Sequence, residues 1–152
     1  MSSVQRLDRD LLVLDTNIVL DLLLFQDPRT MALRTAVNSG VHQWLATAHM
    51  RNELERVLTY ANIQDKLTAY QIQASEILQQ FDRLASVWTS PCPKAAYSCK
   101  DTDDQPFIDL ACAVAAAHPS NKVRLLSKDK AVLAMRKRMA KLSVFVSMTI
   151  CV

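Results

Sequence analysis

In LLVLDTNIVLDLLLF, residues 11–25, a continuous apolar run ends on an acid and then resumes with helical spacing. Residues 11–14 (LLVL) suit a strand covered on both faces, as the strands of a parallel sheet are. Asp15 then stands at the strand's carboxyl end. Thr16 and Asn17 are helix-entry residues whose side-chain oxygens can accept from unpaired N–H groups, and Ile18, Val19, Leu22, Leu23 and Phe25 follow as a buried helix. The unit is therefore a strand, a tight turn bearing a carboxylate, and a helix. In open α/β sheets ligands collect outside the carboxyl ends of the strands, so an acid there is placed for chemistry. Capping acids are commoner than catalytic ones, however, and on this stretch alone a helix cap is the simpler reading of Asp15.

The remaining composition narrows the function. The chain has 152 residues, half of them hydrophobic, enough for one substantial core and too few for two ordinary domains, so a single domain over 1–152 is expected. The net charge of +3 is unevenly spread. Residues 122–141 carry eight basic side chains against Asp129, a balance of +7, while the rest of the chain stands at −4. That asymmetry suits a polyanionic partner, although a basic helix face is more often solvated surface. The single glycine, Gly40, excludes glycine-rich phosphate loops and the dinucleotide fingerprint, and with them the common nucleotide-binding enzymes. Cys92, Cys99, Cys112 and Cys151 show neither C-x-x-C pairing nor histidines at zinc spacing, and MSSVQRLDRD lacks the apolar region of a signal peptide. Reduced thiols in the cytoplasm are expected. Asp15 and Asp21 interrupt the most apolar stretch, which leaves no membrane span.

Along the chain, strands are expected at 11–14, around Trp44-Leu45-Ala46, at 86–89, at 123–126 and at 144–146. Helices are expected after Asp15, over 28–39 with Gly40 as its stop, from Ala48, over 64–85 with a possible junction near Thr68, over 105–117, and over 130–142 as one basic helix. The alternation predicts a three-layer α/β/α sandwich around a mainly parallel sheet of four to five strands. Trp44 and Trp88 read as core, and His42, His49 and His118 as ordinary residues without catalytic partners.

Four acids then occupy comparable places: Asp15 and Asp129 after strands, Asp104 at the start of a helix, and Glu53 on a helix. Converging carboxylates are relieved by raised pKa values or by bound cations, and hard cations such as Mg²⁺ or Mn²⁺ take oxygen ligands. The motifs LDTN (14–17), NELERVL (52–58), CKDTDDQPFIDLA (99–111) and LSKDKAVL (126–133) resemble, in order and spacing, those of PIN-domain proteins. Within that family the chain is similar to the bacterial branch of toxin components of toxin–antitoxin systems, over about 11–147.

The resemblance implies a PIN-like sandwich with a Mg²⁺/Mn²⁺-dependent ribonuclease site of one or two ions. It implies metal and catalytic roles for Asp15, Glu53, Asp104 and Asp129, with Thr16, Asn17 and Asp101 in support. Asp101 and Asp103 read more simply as solvated loop acids, Asp101 being the better candidate for an auxiliary ligand because it matches the branch's pattern, and Glu53 is also readable as a surface glutamate beside Arg51 and Arg56. Asp21 and Asp109 read as structural. RNA is the expected partner, with Lys128, Lys130, Arg136, Lys137 and Arg138 on its phosphates; a cognate antitoxin and a homodimer are the other partners the resemblance suggests. Two departures stand out: Thr102 replaces a common proline, and Ser127-Lys128 replaces threonine-glycine and sets a cation beside Asp129. That second departure supports an alternative, an RNA-binding or regulatory module with a degenerate metal site. An aspartate-nucleophile phosphotransferase ranks last, because Asn17 stands where its second acid belongs.

Overall fold

The structure is a computed structural model that describes residues 9–150; expectations that touch residues 1–8 and 151–152, Cys151 among them, lie outside it. Five strands form one all-parallel sheet: β1 (Asp10–Leu14), β2 (His42–Ala46), β3 (Ala85–Val87), β4 (Val123–Leu126) and β5 (Val144–Ser147), in the order β3-β2-β1-β4-β5. Helices cover it on both faces, so the architecture is the expected sandwich. Leu11, Leu12, Val13 and Leu14 are all buried, which is why this strand is continuously apolar rather than alternating. The chain leaves β1 in one direction to reach β2 and returns on its other side as β4. The carboxyl ends of β1 and β4 are thus the topological switch point of the sheet.

Helix α1 (Thr16–Leu23) follows β1 directly and packs on α2 (Met31–Asn38), α3 (Ala48–Val57) and, further along, α5 (Ala74–Leu84). A 3₁₀ turn at Pro28–Thr30 opens α2, which ends before Gly40, whose φ of +80° few other residues adopt. The amphipathic 64–85 segment is two helices, α4 (Ala61–Tyr70) and α5, broken at Gln71 rather than at Thr68. Helix α6 (Gln105–Ala117) packs on β1, β4 and β5. The basic segment departs from expectation. Instead of one helix over 130–142 it forms α7 (Lys130–Leu133) and α8 (Arg136–Ala140), with Val132, Met135 and Met139 buried beneath them. The break comes at Ala134–Met135 without a proline or glycine to announce it.

The core is one continuous cluster running from β1 through Trp44 and Phe81, whose rings meet edge to face at 4.9 Å, to Ile108, Leu125 and Val144. Trp88 is only half-buried, set edge-on to His118. Among the described residues no helix is long and apolar enough to cross a membrane, and Cys92, Cys99 and Cys112 are free thiols.

Candidate active site

Leu14 and Leu126 are paired in the parallel ladder, and the Asp15 amide donates to the Leu126 carbonyl at 3.0 Å. Register alone therefore sets Asp15 opposite Ser127, 112 residues away. The Ser127 hydroxyl, wholly buried, donates to Asp15 Oδ2 at 2.6 Å and accepts from the Asp129 amide at 3.0 Å. Asp15 is itself buried and stands at the N-cap position of α1. Burial pushes its carboxyl above the usual range; the Ser127 hydroxyl and the amides of Asn17 and Thr16 pull it back, while Asp129 adds to the rise. Thr16 is buried behind it and Asn17 exposed.

Asp129 caps α7, its Oδ1 accepting from the Ala131 amide at 2.8 Å, and its carboxyl lies beside that of Asp104. Asp104 sits at the end of a 3₁₀ turn (Thr102–Asp104) that runs into α6. Asp101 opens that turn and accepts from the Asp103 amide at 3.0 Å. One carboxylate oxygen from each of Asp101, Asp104 and Asp129 falls within 4.8 Å of the others. Asp104 is only 7% exposed, and its Oδ2 is buried without a hydrogen-bond partner. Its pKa is raised to about 8, first by burial, then by sharing a hydrogen bond with Asp129 and by the charges of Asp15, Asp129 and Asp101. An orphaned carboxylate oxygen amid other acids and no nitrogen or sulfur donor in the triad is a donor set that fits a hard divalent cation.

Glu53 is carried by α3, whose Thr47 cap accepts from the Met50 amide at 3.3 Å. A two-pronged ion pair from Arg51 to Asp82 on α5, at 2.7 and 2.9 Å, fixes the helix's rotation. Glu53 is half-buried, and burial raises its pKa; Asp15 and Asp103 add to the rise, Arg56 and His49 oppose it. The site therefore couples Glu53 to Asp15, and Asp15 to Asp129 and Asp104, with Asp101 brought into the tightest group. Asp103 is exposed and lies outside the triad.

Three features escaped the sequence reading. Ser127 was noticed only as a departure, although a hydroxyl beside an acid that follows a strand was its signal. Gln105 was passed over: its side chain accepts from the Cys99 amide at 2.7 Å and donates to the Tyr97 carbonyl and Asp109, while Asp109 accepts from the Ala95 amide at 2.9 Å. Together they bind the loop before Asp101 onto α6. The third is Lys128, whose ammonium lies 2.6 Å from Asp21 on α1 rather than beside Asp129. Lys130, Arg136, Lys137 and Arg138 are exposed and make no ion pair within the described residues.

A profile of the PIN domain matches residues 11–118, and the chain belongs to that family. The match spans β1 to α6 and so includes Asp15, Glu53, Asp101 and Asp104, while Asp129 lies beyond it. PIN domains are in general metal-dependent nucleases acting on RNA or DNA, and the acidic triad is a group of side chains that could hold a metal ion. Comparison with curated proteins and with solved structures returned no match.

Proposed function

We propose that this chain is a Mg²⁺- or Mn²⁺-dependent endoribonuclease, and the observation that carries the reading is the clustering of Asp101, Asp104 and Asp129 around a buried Asp104 that has one carboxylate oxygen without a partner. Asp101, Asp104 and Asp129 would hold one ion, and Asp15 with Glu53 would complete that position or a second one. When bound, the cation polarises a phosphate oxygen and lowers the pKa of attacking water. The Ser127 hydroxyl donates to Asp15 and pulls its pKa down against the rise that burial imposes. The Ala131 amide holds one oxygen of Asp129, leaving the other for the site. Glu53 stands next to Asp15, and burial raises its pKa, which strengthens its carboxylate as a ligand or proton acceptor. Cleavage would leave 5′-phosphate and 3′-hydroxyl ends.

Lys130, Arg136, Lys137 and Arg138 would lie along the RNA backbone, positioning the strand without reading bases. Lys128 is left out of that set because Asp21 already engages it. The same pairing counts against one ground of the degenerate-site alternative, the cation beside Asp129; the other ground is the reading of Glu53 as a surface glutamate. Within this reading the chain acts in the cytoplasm as the toxin of a toxin–antitoxin pair, partnered by an antitoxin and by a second copy of itself. A short upstream gene for a DNA-binding antitoxin would support that role; its absence would weaken it without touching the chemistry.

The test is cleavage of single-stranded RNA and DNA oligonucleotides with Mn²⁺, with Mg²⁺ and with chelator. RNA cleavage that needs the cation and drops at least a hundredfold in Asp15→Asn is expected. Cleavage identical in wild type and Asp15→Asn, or none under any condition, overturns the reading; preference for DNA overturns the substrate.

A further inference from the structure

The segment between β4 and α7 is three residues long, and each of them is bonded to something different. Ser127 is tied to β5 through its amide, which donates to the Ser147 carbonyl at 3.0 Å, and to Asp15 through its hydroxyl. Asp129 caps α7 and faces Asp104. Lys128, between them, reaches to Asp21 at 2.6 Å. Asp129 is extended (φ −73°, ψ 128°), and in extended backbone successive side chains alternate, so Ser127 and Asp129 can share one side only if Lys128 takes the other.

Asp21 is an unusual anchor. It is 7% exposed, on the second turn of α1, the helix that starts next to Asp15. The nearby Arg29 guanidinium is already held by Asp27 through three contacts of 2.7 to 3.2 Å, so the short contact of Asp21 is to Lys128. An ion pair with one buried partner contributes little to stability, because desolvation of Asp21 offsets the attraction. What it supplies is geometry. Ser127 and Lys128 grip the β1–α1 unit at two points, Asp15 and Asp21, and so fix the twist of the segment that presents Asp129.

We infer that the Asp21–Lys128 ion pair is a positioning device for the cation site: it locks the Ser127–Asp129 segment so that Asp129 meets Asp104 and Asp101. The inference rests on the metal-site reading above. Neither residue touches the ion or the substrate; both act through Asp129.

The experiment is Mn²⁺ titration by calorimetry of the wild type, Asp21→Asn, Lys128→Met, the double variant and Lys128→Arg, each first shown to be folded by circular dichroism. Each single neutralising variant is expected to bind Mn²⁺ about tenfold more weakly, the scale on which groups supporting metal ligands act. The double variant should be no worse than twofold below the weaker single, since a pair can be lost only once. Lys128→Arg, which keeps the charge, should stay within about threefold of wild type. Should Asp21→Asn fail to fold, Lys128→Met against Lys128→Arg carries the comparison, because Lys128 is partly exposed and tolerates exchange. Single variants within twofold of wild type, losses that multiply in the double, or an Arg variant as weak as the Met one each overturn the inference alone. A wild type that binds no Mn²⁺ overturns the metal site and this inference with it.

Discussion

Asp104 holds opposed demands in one side chain. Folding buries it among acids, and its pKa rises to about 8, against 3.8 when unperturbed. Between those two values the folded state holds a proton that the unfolded chain has lost. Stability from this group is therefore full below pH 4 and drains away as pH rises through 8. Asp15 and Glu53 are shifted the same way and add to that slope. A cation that replaces the proton reverses the loss. Thermal melts should show metal-free protein weakening from pH 6 to pH 8.5, and saturating Mn²⁺ raising Tm by about 5–10 °C at pH 8.5 but less at pH 6. The same logic makes Asp104→Asn an inactive variant that is more stable than metal-free wild type at pH 8.5, by on the order of 2 kcal/mol in chemical denaturation. If Asp104→Asn is instead destabilised at that pH, the carboxylate is not under the strain its surroundings describe. Ser127 is the complementary residue. It is one of the groups that lower the Asp15 pKa, so Ser127→Ala should move the acidic limb of the pH–rate profile upward, and Ser127→Thr should leave it in place.

At the scale of elements, what could be read in advance divides along a physical line. Strand β4 and helix α6 have the bounds their sequences suggest, because VRLL is a short, mostly apolar run and Gln105-Pro106 starts a helix with proline in its first turn. The acids could be read as a group because three of them mark strand ends or a helix start. Their bonding could not. Which hydroxyl meets Asp15 depends on the register of Leu14 against Leu126, a property of two segments far apart in the chain, and no local pattern encodes it. The junction expected near Thr68 falls three residues later, at Gln71, whereas the break at Ala134–Met135 is hidden; neither place carries the glycine or proline that punctuates a chain. Gln71 closes α4 in the left-handed region, φ 55°, ψ 43°, with its amide bonded back to Leu67 and Thr68. That backbone geometry is the usual place for glycine and costs another residue about 1 kcal/mol. Gln71 is exposed, so Gln71→Gly changes little else, and it should raise Tm by about 2 °C without altering Mn²⁺ affinity. A lower Tm would mean that flexibility added to the unfolded chain outweighs the strain relieved.

The whole molecule separates its charges, and that separation makes a distinct prediction. The carboxylates gather where β1 and β4 end, and the exposed Lys130, Arg136, Lys137 and Arg138 lie just past β4, on the two short helices that follow Asp129. A polyanion approaching this end of the sheet meets attraction from α7 and α8 and repulsion from the acids. A cation bound at the acids would remove that repulsion. Backbone binding should thus have two separable parts: one set by ionic strength, through the basic side chains, and one set by the divalent cation. For single-stranded RNA each phosphate neutralised contributes about 0.7 to the slope of log K against log salt. Replacing Arg136, Lys137 and Arg138 together by glutamine should lower that slope by about 2 and weaken RNA binding at low salt. Because these residues stand outside the acidic triad, kcat at saturating RNA and calorimetric Mn²⁺ affinity should both hold. An unchanged salt slope would place the RNA elsewhere on the surface. A fall in kcat with the slope intact would mean that α8 supports Asp129 rather than the strand.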